Sequence, residues 1–255
     1  MCPGASPQAV GPDGGTAVSA PTGIAPDLLD TGLAADLADA ALSLARLFHA
    51  GATLWCVSPR WEPHAHHVAV EFVHPVIMGK RALPALTITG PDIVAQARVS
   101  ARTGDVIIAV AAGDDPAVGE IMRRAPAWGA HTLWIGSGGR PARGAADHVL
   151  WIDDPDPLAP ATGRFVLLYH LLWELTHVCF EHPGLLTGPA AECADEGRLA
   201  EVVEPPGRTY GDALVRTATG EERVDVTLVA PVSAGDLVLV HAGAALSRRD
   251  LEVAP

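Results

Sequence analysis

Lysine occurs once in the 255 residues, at Lys80, and Lys plus Arg number 17 against 30 Asp plus Glu, a net charge of −13 with the 11 His neutral. A chain this acidic repels phosphate backbones and anionic lipid, and one lysine builds no basic patch, which argues against nucleic-acid and membrane-surface partners. Cysteine is as scarce: Cys2, Cys56, Cys179 and Cys193, none in a C-x-x-C pair. That spacing signals neither a zinc ribbon nor a disulfide framework, and it fits a reducing compartment. Aromatic residues make up 5% of the chain. No window approaches ~20 uninterrupted apolar residues, so no membrane span is expected. The N-terminus lacks a basic segment followed by an apolar run, so no secretory signal is expected and the cytoplasm is the expected location.

What is present suffices for a core: 49% hydrophobic and 18% charged residues rule out global disorder. Gly and Pro together are 48 of 255 residues, above the usual roughly 12%, so some of the chain must be loop. Residues 1–26, rich in Pro, Gly, Ala and Ser without period, read as a disordered tail. From residue 27 the pattern changes. Ala34 to His49 carries apolar residues at helical spacing and stops at Gly51. Strand-like runs follow at 52–57, 82–89, 105–112, 131–136 and 147–153, alternating with helical stretches at 64–74, 92–100, 116–127 and 163–182. Alternation of this kind predicts a three-layer αβα domain over 27–182 with a parallel sheet covered on both faces. Residue run 105–112, DVIIAVAA, is apolar on both faces, as a central strand requires.

After a linker at 183–192, four or five short strands with turn residues between them predict a small antiparallel β-barrel over 193–255. Its last part, Gly235-Asp236 followed by an apolar strand and His241-Ala242-Gly243, together with Cys193-Ala194-Asp195-Glu196 at the start, resembles the HypC/HupF family of [NiFe]-hydrogenase maturation chaperones. The resemblance implies an OB-like barrel that carries iron bearing CN and CO, held by Cys193 with His241 close by. Thiolate and imidazole suit such a metal. It also implies a HypD-type scaffold and the hydrogenase large-subunit precursor as partners. Cys193 is internal, whereas the family's cysteine follows the initiator methionine; Cys2, in Met1-Cys2-Pro3-Gly4, is a second candidate thiol.

The stretch 51–73 contains His67 and Glu71 in an H-x-x-x-E spacing, one helical turn apart. With 104–118 and the helix at 164–182 it resembles sugar isomerase (SIS) domains, most closely the phosphoheptose isomerase branch. The phosphate loops of that family are altered here. The first reads Ser58-Pro59-Arg60-Trp61-Glu62-Pro63, where two prolines lack N–H donors; the second reads Ala111-Ala112-Gly113-Asp114-Asp115-Pro116, where two carboxylates stand in place of serines. Two functions therefore compete. One is a maturation chaperone whose degenerate SIS domain dimerises or docks, as a homodimer or higher oligomer. The alternative is a sugar-phosphate isomerase of the sedoheptulose 7-phosphate type, or a phosphosugar-binding regulator, with Glu71, His67, Glu174 and His177 as acid/base residues. The cluster His64, His66, His67 and His74 could bind metal, but adjacent histidines on a helix diverge, so a solvated face is the expectation for it.

Overall fold

The computed structural model describes residues 31–75, 77, 79–154, 156, 159, 163–186, 198–207, 210–241 and 243–249. The tail, Cys2, Cys193 and most of the 183–192 segment lie outside them. The α/β lobe runs α1 (Thr31–His49), β1 (Leu54–Val57), α2 (Glu62–Val73), β2 (Ala85–Ile88), α3 (Ile93–Ser100), β3 (Val106–Val110), α4 (Pro116–Arg124), β4 (His131–Ser137), β5 (His148–Ile152) and α5 (Gly163–Glu181). Its five strands are all parallel, in the order β2-β1-β3-β4-β5.

Alternation within the central strands divides the core. Val106, Ile108 and Val110 face one side, where they meet α1, α2 and α5 through Leu44, Phe72, Phe165, Tyr169 and Leu172. Ile107 and Ala109 face the other side and pack on Ile93 and Ala97 of α3 and on Val118, Ile121 and Met122 of α4. β3 is buried at every position, which is why its sequence reads as an unbroken apolar run. The strand order reverses direction between β1 and β3, so the loops after these strands open the crevice where an α/β sheet of this kind takes its ligands.

The second lobe is a mixed five-stranded sheet, β6 (Arg198–Glu204), β7 (Asp212–Thr217), β8 (Gly220–Asp225), β9 (Leu237–His241) and β10 (Ala244–Arg248). β10 pairs antiparallel with β9 and meets β8 in one parallel bridge, so the order β10-β8-β7-β6-β9 closes on itself. Its core is small and valine-rich, with Val202, Val215, Val224, Val226, Val238 and Val240. The strand expected at 223–230 ends at Asp225, because the Asp225 carboxylate accepts from Thr227 N at 2.9 Å and turns the chain.

β6 joins the lobes. Ala200 and Val202 point into the second lobe's core, while the alternating Leu199 and Glu201 point at the first lobe. Glu201 is 2% exposed. It accepts from Arg124 Nη1 at 2.9 Å and Trp128 Nε1 at 3.0 Å, and pairs with Arg98 Nε at 3.4 Å. Arg124 also donates to Gly235 O, and Thr103 to Ala218 O. A buried carboxylate is tolerated only with such partners, and here they fix one lobe on the other.

Candidate functional site

α2 and α5 lie side by side on one face of the sheet, and their sequences decide what meets there. α2 buries His64, Ala65, Val68, Ala69 and Phe72, which leaves His67 and Glu71 on the flank, half-buried. α5 buries Phe165, Leu168, Tyr169, Leu172 and Trp173, which brings His170 to the same flank. His67 Nε2 and Glu71 Oε1 are 3.3 Å apart, His170 Nε2 and Glu71 Oε1 3.4 Å, and the two Nε2 atoms 3.1 Å. The side chains keep access to solvent, at 39% for His67, 40% for His170 and 18% for Glu71.

Tyr169 backs this group. Its Oη lies 2.9 Å from His67 Nδ1 and 3.3 Å from His64 Nδ1. Burial, with a smaller contribution from the Glu71 charge, pushes the phenol up to about 12. It therefore stays protonated at neutral pH. One assignment of protons fits every distance: Tyr169 donates to His67 Nδ1, His64 donates to the Tyr169 oxygen, and His67 turns its Nε2 proton toward Glu71 or His170. The tyrosine thus orients the imidazole that faces the carboxylate.

The structure separates the residues expected to act together. His67 and Glu71 meet. Glu174 instead pairs with Lys80 at 3.3 Å, and Lys80 also binds Glu181 at 2.8 Å. His177 is buried, with one ring nitrogen 2.9 Å from Trp173 O and the other 3.0 Å from Arg81 O, so backbone carbonyls occupy both. His170 and Tyr169 take the places expected for Glu174 and His177. Nothing in the i, i+4, i+7 spacing of His170, Glu174 and His177 told which of them would look toward α2. The two-histidine, one-carboxylate set of His67, Glu71 and His170, its donor atoms all within 4.8 Å of one another, has the chemistry of a divalent first-row cation site. Of the other histidines of this stretch, His66 on α2 and His74 just beyond its end are exposed, as expected, while His64 is buried against Tyr169.

The loops after β1 and β3 explain the altered phosphate site. Ser58 is buried and donates to Val110 O at 2.7 Å, so its hydroxyl ties the two strand ends together. Asp115 caps α4: its Oδ1 accepts from Ala117 N at 3.1 Å and Val118 N at 3.2 Å. The helix N-terminus that would hold a phosphate is filled by the chain's own carboxylate. Arg60 lies 3.6 Å from Asp114 and 4.0 Å from Asp115. Beside this pair a cleft of about 350 Å³ opens between the loops after β3 and β4.

No family model matches the chain, and no curated protein does. Solved structures similar to it include a phosphoheptose isomerase from Francisella tularensis (16% identity, 58% of this chain and 86% of that chain, TM-score 0.49) and phosphoheptose isomerase GmhA from Neisseria gonorrhoeae (17% identity, 58% and 86%, TM-score 0.46). Another is the C-terminal domain of glucosamine-fructose-6-phosphate aminotransferase from Francisella tularensis (16% identity, 57% and 40%, TM-score 0.40).

These findings correct the expectation of hydrogenase maturation. None of the similar structures named above is a hydrogenase-maturation protein, and nothing shows a HypC-type domain fused to the α/β lobe. Among the described residues, the group of three candidate metal donors lies on α2 and α5, whereas His241 is exposed at the end of β9 and belongs to no such group. Cys193 and Cys2 fall outside the described residues. The iron cargo and the HypD-type and large-subunit partners were implications of that reading, and nothing here tests them. Among the described residues no helix is long and apolar enough to cross a membrane.

Proposed function

We propose that the chain binds a carbohydrate derivative and moves protons on it at the Glu71, His67 and His170 group, as an aldose–ketose isomerase does. The observation that carries this reading is the meeting of one carboxylate with two imidazoles at 3.3 and 3.4 Å on a half-buried, solvent-reachable flank. Interconversion through an enediol needs one group to take a proton from the hydroxyl-bearing carbon beside the carbonyl. It needs a second to give a proton to the carbonyl oxygen and a route for the hydroxyl proton to return. Glu71 is placed to be the base. His170, whose Nε2 is shared between Glu71 and His67, is placed to pass the proton between oxygens. His67, held through Nδ1 by a tyrosine that stays protonated, orients both. The proton taken from carbon is returned to the neighbouring carbon, so the cycle is redox-neutral and needs no co-substrate.

Deuterium wash-in tests the reading. Aldoses, ketoses and their acid derivatives of five to seven carbons, incubated with the protein in D₂O, should gain deuterium beside the carbonyl, as read by proton NMR. Glu71→Gln should abolish the gain. Absence of exchange across that panel with the wild-type protein would remove the isomerase reading.

A further inference from the structure

The cleft between the loops after β3 and β4 is built for a ligand that the altered phosphate loops do not explain. Arg60, Asp114, Ser137, Gly138, Gly139 and Arg140 line it. Ser137, the last residue of β4, is 1% exposed and borders the cavity. The floor is fixed. A side chain at Gly113 would collide with the carbonyl of Gly139 and press on the Trp151 ring, so the two loops touch because Gly113 carries no Cβ. Trp151 Nε1 holds the second loop from beneath by donating to Gly138 O at 3.0 Å.

Charge selects the ligand. Arg60 is half exposed at the cleft and Arg140 more than half, and their present partners are surface carboxylates, Asp114 at 3.6 Å and Asp36 at 3.4 Å. Exposed pairs of this kind are weak and exchange readily for a bound anion. Two arginines against Asp114 leave at most one net positive charge in the cleft, and Asp115 stands 4.0 Å behind Arg60. A phosphate dianion exceeds what this arrangement neutralises, whereas a carboxylate matches it, and the planar guanidinium fork suits a carboxylate.

We propose that this cleft binds the carboxylate of a small hydroxylated acid, a uronate- or aldonate-type sugar acid, between Arg60 and Arg140, with Ser137 donating to it. The carboxylate follows from the cleft alone; only the sugar body rests on the proposed function. α2 starts two residues after Arg60, and His67 follows five residues on, about 8 Å along the helix axis. The acid end and the proton-transfer group are thus carried by one continuous piece of chain.

Titration calorimetry with D-glucuronate, glucose 6-phosphate and glucose tests this without turnover, so its failure is distinct from failure of the deuterium experiment. D-Glucuronate should bind, and glucose 6-phosphate and glucose should bind at least several-fold more weakly. Arg140→Ala and Arg60→Ala should each weaken glucuronate about tenfold, the scale of one charge-assisted contact. Ser137→Ala should weaken it a few-fold. Both arginines are exposed, so unchanged thermal midpoints will confirm that these variants fold. Asp114→Asn should shift preference toward the phosphate. The proposal is overturned if glucuronate fails to bind at millimolar concentration, if glucose 6-phosphate is the tighter ligand of the wild-type protein, or if neither arginine substitution weakens binding.

Discussion

Two carboxylates in this molecule have almost the same number of partners and opposite chemical prospects. Glu201, at the seam between the lobes, is held by Arg124, Arg98 and the Trp128 indole. Guanidinium and indole N–H groups are donors only, so the site can only hold. Glu71, on the flank of α2, is held by two imidazoles, each with ring nitrogens that can either donate or accept a hydrogen bond. Burial sharpens the contrast, 2% exposure against 18%. The lesson is that the identity of the partners, more than their number, separates a fastener from a reactive site.

The contrast can be broken at either end. Glu201→Ala leaves two arginines and an indole facing each other in a buried seam, and should destabilise the protein by about 3–5 kcal/mol, read by urea denaturation; a loss below about 1 kcal/mol would show that the seam is not a fastener. Glu71→Gln should cost stability little and activity much, about 10²–10⁴-fold in turnover, measured by the rate of deuterium incorporation. Tyr169→Phe keeps the packing and removes the proton that orients His67. It should cost about 1 kcal/mol in stability and flatten the dependence of turnover on pH, seen by comparing rate profiles of the two proteins.

The smallest effect concerns acid. Burial lowers the His148 imidazole below its ordinary value, with the Asp147 charge opposing. Below about pH 6.5 the unfolded chain therefore binds a proton that the folded chain does not, and stability falls as the pH drops through that range. His148→Gln should remove this slope. If the slope persists in that variant, another group, the Glu71 cluster included, is responsible.

Much of this architecture was legible in the sequence, and the reason is periodicity. The buried run at 105–112 and the 3.6-residue spacing of α1 and α5 fixed the elements within a few residues, and the H-x-x-x-E spacing placed Glu71 and His67 on one flank. What crosses between elements was not legible. Whether His170 or Glu174 faces α2 depends on the rotation of α5 about its axis, set by Phe165, Tyr169 and Trp173 in the core. Lys80, from the connection after α2, then captures Glu174. Glu201 reads as one more polar residue of a strand, and only the docking of β6 against α4 shows that it is buried. The carboxylates at 114–115 were visible as an obstacle to phosphate, but the capping of α4 by Asp115 needs the loop geometry. The place of Arg140 was not legible either, because the loop after β4 meets the loop after β3 only in the folded chain, where Gly113 comes against Gly139.

The Trp151 ring lies over Gly136 as well as Gly113. A methyl group on Gly136 would strike that ring and would also sit 2.5 Å from the Ala111 carbonyl oxygen. Replacing the tryptophan by something smaller would clear the first obstruction and leave the second in place. Position 136 must therefore remain glycine whatever stands at position 151.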